Sequence, residues 1–317
     1  MEQIYKYKVS TLCCTYNQEK YILDALNGFV LQELPFPAVF LIVDDASTDR
    51  TADVIRDFFN ANFDLEDSSV AYEKHHDYGI VTYARHKTNR NCFFGVLYLK
   101  ENHYQKKPTT PYLSEWRDNA KYQAICEGDD YWTDPLKLQL QVAFMEKHPD
   151  HTMCFHAMQY LYPGGEMRAV SRYRNDVEEC AIGDFFKIGG GYAPTGSMLY
   201  VRSLSLPLPS FFEKSTVGDS PLILTLFLRG KVGFSCRVMG CYRVNAVGSW
   251  SQRQKRLTFS QAVSKYKEGI AYWEEVNRYT EGKYARLVRQ RKIHTCLSLG
   301  KSLFYWFCNQ FDKRRGE

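Results

Sequence analysis

Three short apolar runs in this 317-residue chain each end in a polar, mostly acidic turn. Val9 to Cys14 runs into Thr15-Tyr16-Asn17. Val39 to Val43 runs into Asp44-Asp45-Ala46-Ser47, and Tyr122 to Cys126 into Glu127-Gly128-Asp129-Asp130. As neighbouring parallel strands, the runs would bring their carboxyl ends to one edge, where open α/β sheets bind ligands. Five carboxylates would then converge. Like charges at that density repel, and a hard divalent cation offsets them. Oxygen ligands suit Mg2+ or Mn2+, which usually bridge to phosphate oxygens rather than sit in an all-protein cage. Any one of these Asp residues reads equally well as a turn or cap residue; three strand ends together favour a site. Neither G-x-G-x-x-G nor G-x-x-x-x-G-K-[ST] follows a strand, so dinucleotide and P-loop sites are set aside.

The elements that must position these turns are legible. Tyr21, Ile22, Ala25, Leu26, Phe29 and Val30 recur at helical spacing, which predicts an amphipathic helix over about residues 18–33, stopped by Pro35 and Pro37. A second helix follows the Asp44-Asp45 turn, capped by Ser47, Thr48 or Asp49 and burying Val54, Ile55, Phe58 and Phe59. This strand–helix alternation predicts parallel strands with right-handed crossovers. Residues 61–121 read as an irregular excursion with one helix near Phe93–Lys100. Further on, a helix is predicted from about Pro135 to Lys147 and strands over Thr152–Tyr162, Ser197–Val201 and Val238–Val244. A short helix covers Pro221–Leu228, and the pattern is helical from about Thr258 onward.

Composition agrees with an ordinary globular protein: 44% hydrophobic, 24% charged, net charge +5. The N-terminus has no apolar h-region and no run approaches the roughly 18 apolar residues of a membrane span. The ten Cys are scattered without a C-x-x-C pair, which suits a reducing cytoplasmic compartment. His75, His76 and His86 lack metal-ligand spacing, and Arg85, Lys87 and Arg90 read as a solvated face. The basic excess sits in residues 282–317, where nine Lys and Arg face only Asp312 and Glu317, net +7, so that residues 1–281 carry −2. That placement speaks against nucleic acid as a partner. The tail's aromatic residues, Phe304 to Phe307 and Phe311, fit either an anionic membrane surface or packing against the domain.

Taken together, the motifs resemble family 2 glycosyltransferases with the GT-A fold. Residues 9–22 (VSTLCCTYNQEKYI) are similar to the family's opening. Val43 to Asp49 resembles its nucleotide-binding turn, and 125–138 (ICEGDDYWTDPLKL) its metal-binding D-x-D region. Gly218-Asp219-Ser220-Pro221-Leu222 resembles the segment that carries the catalytic base, and Tyr242-Arg243-Val244 with Gly248 to Ser251 the closing motif. The resemblance covers about residues 8–252. It implies an α/β fold, a Rossmann-like nucleotide-sugar-binding sheet with flanking helices. The GT-A domain would span 1–253, with a nucleotide half (1–150) and an acceptor half (151–253), followed by a helical appendage over 254–317.

It further implies that Thr15 and Tyr16 lie against the nucleotide and that Asp45 accepts from its base, usually uracil. Asp129 and Glu127 would hold Mn2+ or Mg2+, with Glu127 standing where the family's first Asp stands. Asp219 would be the general base of an inverting transfer from a UDP-sugar to a saccharide or lipid-linked acceptor, in cell-surface polysaccharide synthesis; the membrane reading of the 282–317 tail would put the cytoplasmic protein at the inner face of the membrane. From the residues alone, Asp219 is equally a helix cap; as a base it is expected to have its pKa lowered by the helix N-terminus. Thr195, Ser197 and Trp250 are candidate acceptor contacts, while Trp132 and Trp250 as large aromatics are more often core. Asn245 stands where relatives often carry His. With Glu127, it motivates a second hypothesis, a catalytically silent sugar-nucleotide-binding protein of the same fold. A nucleotidyltransferase would need a Gly-rich, basic N-terminal loop that the chain lacks.

Overall fold

The apolar runs form the middle of one mixed sheet. The computed structural model describes residues 4–104, 106–247, 249 and 258–297. Strand β1 (Tyr7–Thr15) lies between β2 (Ala38–Asp44) and β6 (Ala120–Ile125), parallel to both. The register pairs Thr15 with Asp44 and Leu12 with Ile125, so the three carboxyl ends are adjacent, as expected. Seven successive residues of β2 are buried, the mark of a strand covered on both faces.

Helix α1 (Ile22–Val30) buries Ile22, Ala25, Leu26 and Phe29 along one stripe, and α2 (Thr51–Asn62) buries Ile55, Phe58 and Phe59. Phe29 stacks on Phe40 of β2 at 5.0 Å and meets Trp132 edge-on at 5.1 Å. Trp132 is therefore core, as large aromatics usually are.

The excursion 61–121 is more regular than its sequence suggests. It contains β3 (Tyr72–His76), β4 (Gly79–Arg85) and β5 (Cys92–Leu99). The helix expected near Phe93–Lys100 is strand β5, which pairs parallel with β2 and antiparallel with β4. The run Cys-Phe-Phe-Gly-Val-Leu-Tyr-Leu is almost wholly buried, and apolar periodicity does not separate such a strand from a buried helix. Gly79 opens β4 against β5 so closely that a β-carbon there would stand 2.1 Å from the Tyr98 carbonyl oxygen.

A short helix, α3 (Ser114–Arg117), precedes β6; β7 (Tyr131–Trp132) and α4 (Lys137–Lys147) follow it. The second half holds β8 (His151–Leu161), β9 (Met167–Val170), α5 (Ile182–Ile188), β10 (Leu199–Val201), α6 (Asp219–Arg229) and β11 (Lys231–Arg243). The sheet runs β3-β4-β5-β2-β1-β6-β10-β8-β11-β7, with β9 on β8. Strand β10 is antiparallel to β6 and β8, so it joins the two halves.

Helix α7 (Phe259–Tyr279) opens with a capping box: the Gln261 amide donates to Thr258 Oγ1 and the Thr258 amide to Gln261 Oε1. A turn leads into α8, residues 285–297. Tyr272, Trp273, Val276 and Val288 are buried in the same core as Phe155, Leu224 and Phe234. Up to residue 297, then, the segment read as an appendage packs into the core of the second half of the chain. Residues 298–317, with the tail's aromatic cluster, lie outside the described residues, as does Trp250. Among the described residues no helix is long and apolar enough to cross a membrane.

Candidate active site

The turns after β1 and β2 are built as one unit. Asn17 and Ala46 both take positive φ (53° and 58°), which Asn tolerates readily. The amide of Asn17 donates to Ser47 Oγ at 2.9 Å, that of Thr48 to Asn17 Oδ1 at 2.8 Å, and that of Gln18 to Thr51 Oγ1 at 2.7 Å. The third turn joins through main chain, the Gly128 amide donating to the Cys14 carbonyl at 3.0 Å. Thr15 is buried with its hydroxyl on Gln18 Oε1, while Tyr16 beside it is 40% exposed, an open ring at the strand ends.

The five carboxylates reach one edge but do not share one task. Asp44 is buried and accepts from the Ser47 amide; burial raises its pKa. Asp45 accepts from the amides of His103 at 2.7 Å and Tyr104 at 3.1 Å, and its carbonyl accepts from Asn102 Nδ2 at 3.0 Å. The loop after β5 is thereby fastened beside the second turn, a part of the site with no motif in the sequence. Asp130 is buried and accepts from the Arg243 amide at 2.9 Å; burial, then the charge of Asp129, pushes its carboxyl well up.

Glu127 and Asp129 remain half-buried. Burial pushes the Glu127 carboxyl up to about 8, with further contributions from the charges of Asp129 and then Asp219. Asp219 is the first residue of α6, and its Oδ1 accepts from the Ser220 amide at 2.7 Å. Burial raises its pKa, outweighing the amides that lower it. This corrects the expectation of a lowered value: desolvation of the carboxylate exceeds the field of the helix N-terminus.

Glu127 is a carboxylate that burial and the charge of Asp129 hold back from ionising, a cost that a divalent cation offsets, and oxygen donors of the kind Glu127 and Asp129 offer fit such an ion. Among the described residues there is no ready-made cluster of three or more ligating side chains.

The 195–197 turn, expected to meet the acceptor, is anchored from below: Gly196 O accepts from Trp132 Nε1 at 2.8 Å and Ser197 O from Gln141 Nε2 at 2.9 Å. Ser197 is fully buried and its hydroxyl donates to Pro194 O at 2.6 Å, so its expected acceptor contact is set aside. Thr195 is partly exposed on the same turn. Asn245 has φ 57°, a left-handed conformation in which Asn is enriched. His75 and His86 stay outside any metal cluster, His75 against Glu73 and His86 accepting from the Asn89 amide.

Comparison with known proteins fits this geometry. The family model described as Glycosyl transferase family 2 matches residues 10–92, the segment from β1 to the start of β5. Uncharacterized proteins of Mycobacterium bovis and Mycobacterium tuberculosis are 31% identical over 250 residues, which is 76% of this chain. The match spans 60% of the length of those relatives. Among solved structures, S. aureus TarS 1-349 in complex with UDP-GlcNAc superposes with a TM-score of 0.56 at 16% identity, covering 85% of this chain and 66% of that one. The mannosyltransferase PcManGT from Pyrobaculum calidifontis, in complex with GDP-Man and Mn2+, gives 0.50 at 12% identity, covering 94% and 76%. These likenesses show the fold, a central mixed sheet with flanking helices of the GT-A kind. With the family match, they support a family 2 glycosyltransferase.

Proposed function

We propose that this chain transfers a sugar, with inversion, from a nucleoside diphosphate sugar to a saccharide or lipid-linked acceptor. The observation that carries the reading is the joining of the turns after β1, β2 and β6 at one edge of the sheet, through the Asn17 amide on Ser47 Oγ and the Gly128 amide on the Cys14 carbonyl. Thr15, Tyr16 and Asp45 hold the nucleotide, of which a uridine diphosphate is the favoured form. Glu127 and Asp129 would hold Mn2+ or Mg2+, which would supply positive charge to offset that of the leaving diphosphate. Asp219 takes the proton of the acceptor hydroxyl as its oxygen bonds the anomeric carbon. The anomeric carbon–phosphate oxygen bond breaks, and its electrons leave with the nucleoside diphosphate. Burial makes Asp219 a stronger base than an exposed Asp. Thr195, with Trp250 outside the described residues, lies on the acceptor side.

Support for the donor class comes from structural neighbours whose complexes hold UDP-GlcNAc or GDP-Man with Mn2+. A role in cell-surface polysaccharide synthesis, with residues 298–317 resting on an anionic membrane surface, extends the proposal. Truncation after residue 297 is expected to abolish binding to anionic vesicles, and binding that survives it would remove that extension. The central test is turnover across a panel of nucleotide sugars with Mn2+ or Mg2+. Release of nucleoside diphosphate that Asp219→Asn abolishes is the expected result. No turnover by the wild-type protein, with nucleotide binding intact, would instead identify a silent sugar-nucleotide-binding protein. Release of pyrophosphate would indicate nucleotidyl transfer.

A further inference from the structure

Arg243 closes β11 directly behind the acidic loop and grips it twice. Its backbone amide donates to Asp130 Oδ1 at 2.9 Å, and its Nη1 donates to the Asp129 carbonyl oxygen at 2.7 Å. The other arm of the fork, Nη2, pairs with the Asp24 carboxylate in the first turn of α1. The guanidinium lies 4.5 Å from the ring centroid of Tyr131 and 5.2 Å from that of Tyr21. Its side chain is only 11% exposed. Tyr21 in turn accepts, through its hydroxyl, from the Val247 amide of the closing segment.

Only Arg meets this geometry. A planar fork with several fixed donors reaches a carbonyl and a carboxylate at once while stacking beside aromatic rings. Lys carries its three donors on one nitrogen and lacks the planar spread that reaches both partners while lying beside the rings. The contacts also divide the acids of the loop. Asp130 is turned inward and spent on the Arg243 backbone, whereas Asp129 has its carbonyl pinned. Residue 129 is thus fixed at its main chain, between a strand on one side and a helix on the other.

We propose that Arg243 is a positioning residue that sets the 127–130 loop in the arrangement needed to hold the cation, and that Asp24 holds Arg243 in turn. This rests on the reading of Glu127 and Asp129 given under Proposed function. The nucleotide's base end, at Thr15, Tyr16 and Asp45, is not part of the clamp. Loss of the clamp should therefore weaken cation-dependent binding and spare cation-independent binding.

The test compares wild type with Arg243→Lys, Asp24→Asn and the double variant. Two readouts are used: hydrogen exchange of the 127–131 amides in cation-free protein, and UDP affinity with and without Mn2+. Arg243→Lys is expected to speed exchange across 127–131 while leaving the β1 amides unchanged. It should lower the Mn2+-dependent UDP affinity by roughly tenfold or more and leave the Mn2+-independent affinity within about twofold. Asp24→Asn should reproduce part of each effect, and the double variant should be no worse than Arg243→Lys, because both changes act on one chain of contacts. Unchanged exchange in Arg243→Lys would overturn the proposal whatever the chain's activity. Equal losses with and without Mn2+ would also overturn it, reducing Arg243 to a general stabiliser. Faster exchange in a protein whose wild type shows no Mn2+-dependent binding would instead overturn the cation reading of Glu127 and Asp129, and the purpose assigned to the clamp with it.

Discussion

Gly128 lies against Thr15 so closely that a β-carbon on residue 128 would stand 2.8 Å from both Cβ and Oγ1 of Thr15. The contact locks the acidic loop onto the end of β1, where the nucleotide is proposed to lie. Gln18 Oε1 would be closer still, at 2.4 Å, but its long side chain can swing away, whereas Thr15 is held in a strand. Gly128→Ala should therefore push the two turns apart. Overpacking of this kind typically costs about 1–3 kcal/mol. Calorimetry is expected to show weaker nucleotide binding by at least roughly tenfold together with a lowered Tm. Wild-type affinity in Gly128→Ala would mean that the turns tolerate separation.

For Asp219 the pH dependence follows from the raised pKa. A general base works deprotonated, so activity falls as pH drops through its pKa. Because burial raises that value, the acid limb of kcat/KM should lie above the ordinary Asp value of about 4. Asp219→Asn should lower kcat by roughly 10²–10⁴-fold with nucleotide affinity kept. An acid limb at the ordinary carboxylate value, or a fully active Asn variant, would remove Asp219 from the base role.

Glu127→Gln separates stability from function. The wild-type carboxyl is disfavoured as an anion by burial and by Asp129 and Asp219. The neutral amide should stabilise the cation-free protein by roughly 1 kcal/mol at neutral to mildly alkaline pH, raising Tm by a few degrees. The same change should reduce Mn2+-dependent nucleotide affinity by roughly tenfold, about 1.4 kcal/mol. A variant that gains stability and keeps Mn2+ dependence would leave Asp129 as the sole cation ligand of the pair.

How far the molecule could be read in advance depends on which interactions are local. β1, β2, β6, α1 and α2 follow from runs and spacings within about fifteen residues, and their turns carry the motifs. Strand β5 was misread because a wholly buried strand has no alternation to mark it, and β3–β4 because Tyr72 to His76 is a polar edge strand. At the site, the sequence places Asp44, Asp45, Glu127, Asp129 and Asp130 at one sheet edge, as the register of β1, β2 and β6 does, but it does not divide the tasks among these acids. Asp45 holding the loop at 103–104 and Asp130 turned toward Arg243 are contacts between segments 58 and 113 residues apart. No local pattern encodes such pairings. Ser197 is a candidate by its place in the chain, between the nucleotide half and Asp219, and position in the chain does not tell a turn that lines a cleft from one sealed beneath it.

A last prediction concerns Lys137, fully buried under the acidic segment. Its Nζ donates to Gln141 Oε1 at 2.7 Å and lies 3.9 Å from the ring centroid of Trp132. Burial pushes its pKa down to about 7, against about 10.4 in an unfolded chain. Below pH 7 both states carry the proton, and the folded protein bears the cost of a buried charge. Between pH 7 and about 10.4 the unfolded chain binds a proton that the folded protein does not. Stability attributable to Lys137 therefore rises with pH across this window, by up to about 1.4 kcal/mol per unit. Burial holds the Cys126 and Cys154 thiols high and the His156 imidazole low, so these groups add pH dependence through the unfolded chain, but they are the same in wild type and variant and cancel in the difference between the two. Lys137→Met removes the titration and leaves Gln141 bonded to the Ser197 carbonyl through its amide nitrogen. Urea unfolding of both proteins at pH 6.5 and pH 9 should show the variant at its greatest relative advantage at the lower pH, with the gap moving toward wild type at the higher. A gap that stays constant across the two pH values would mean that Lys137 remains charged in the folded protein, held by the Trp132 ring and the Gln141 oxygen against the cost of burial.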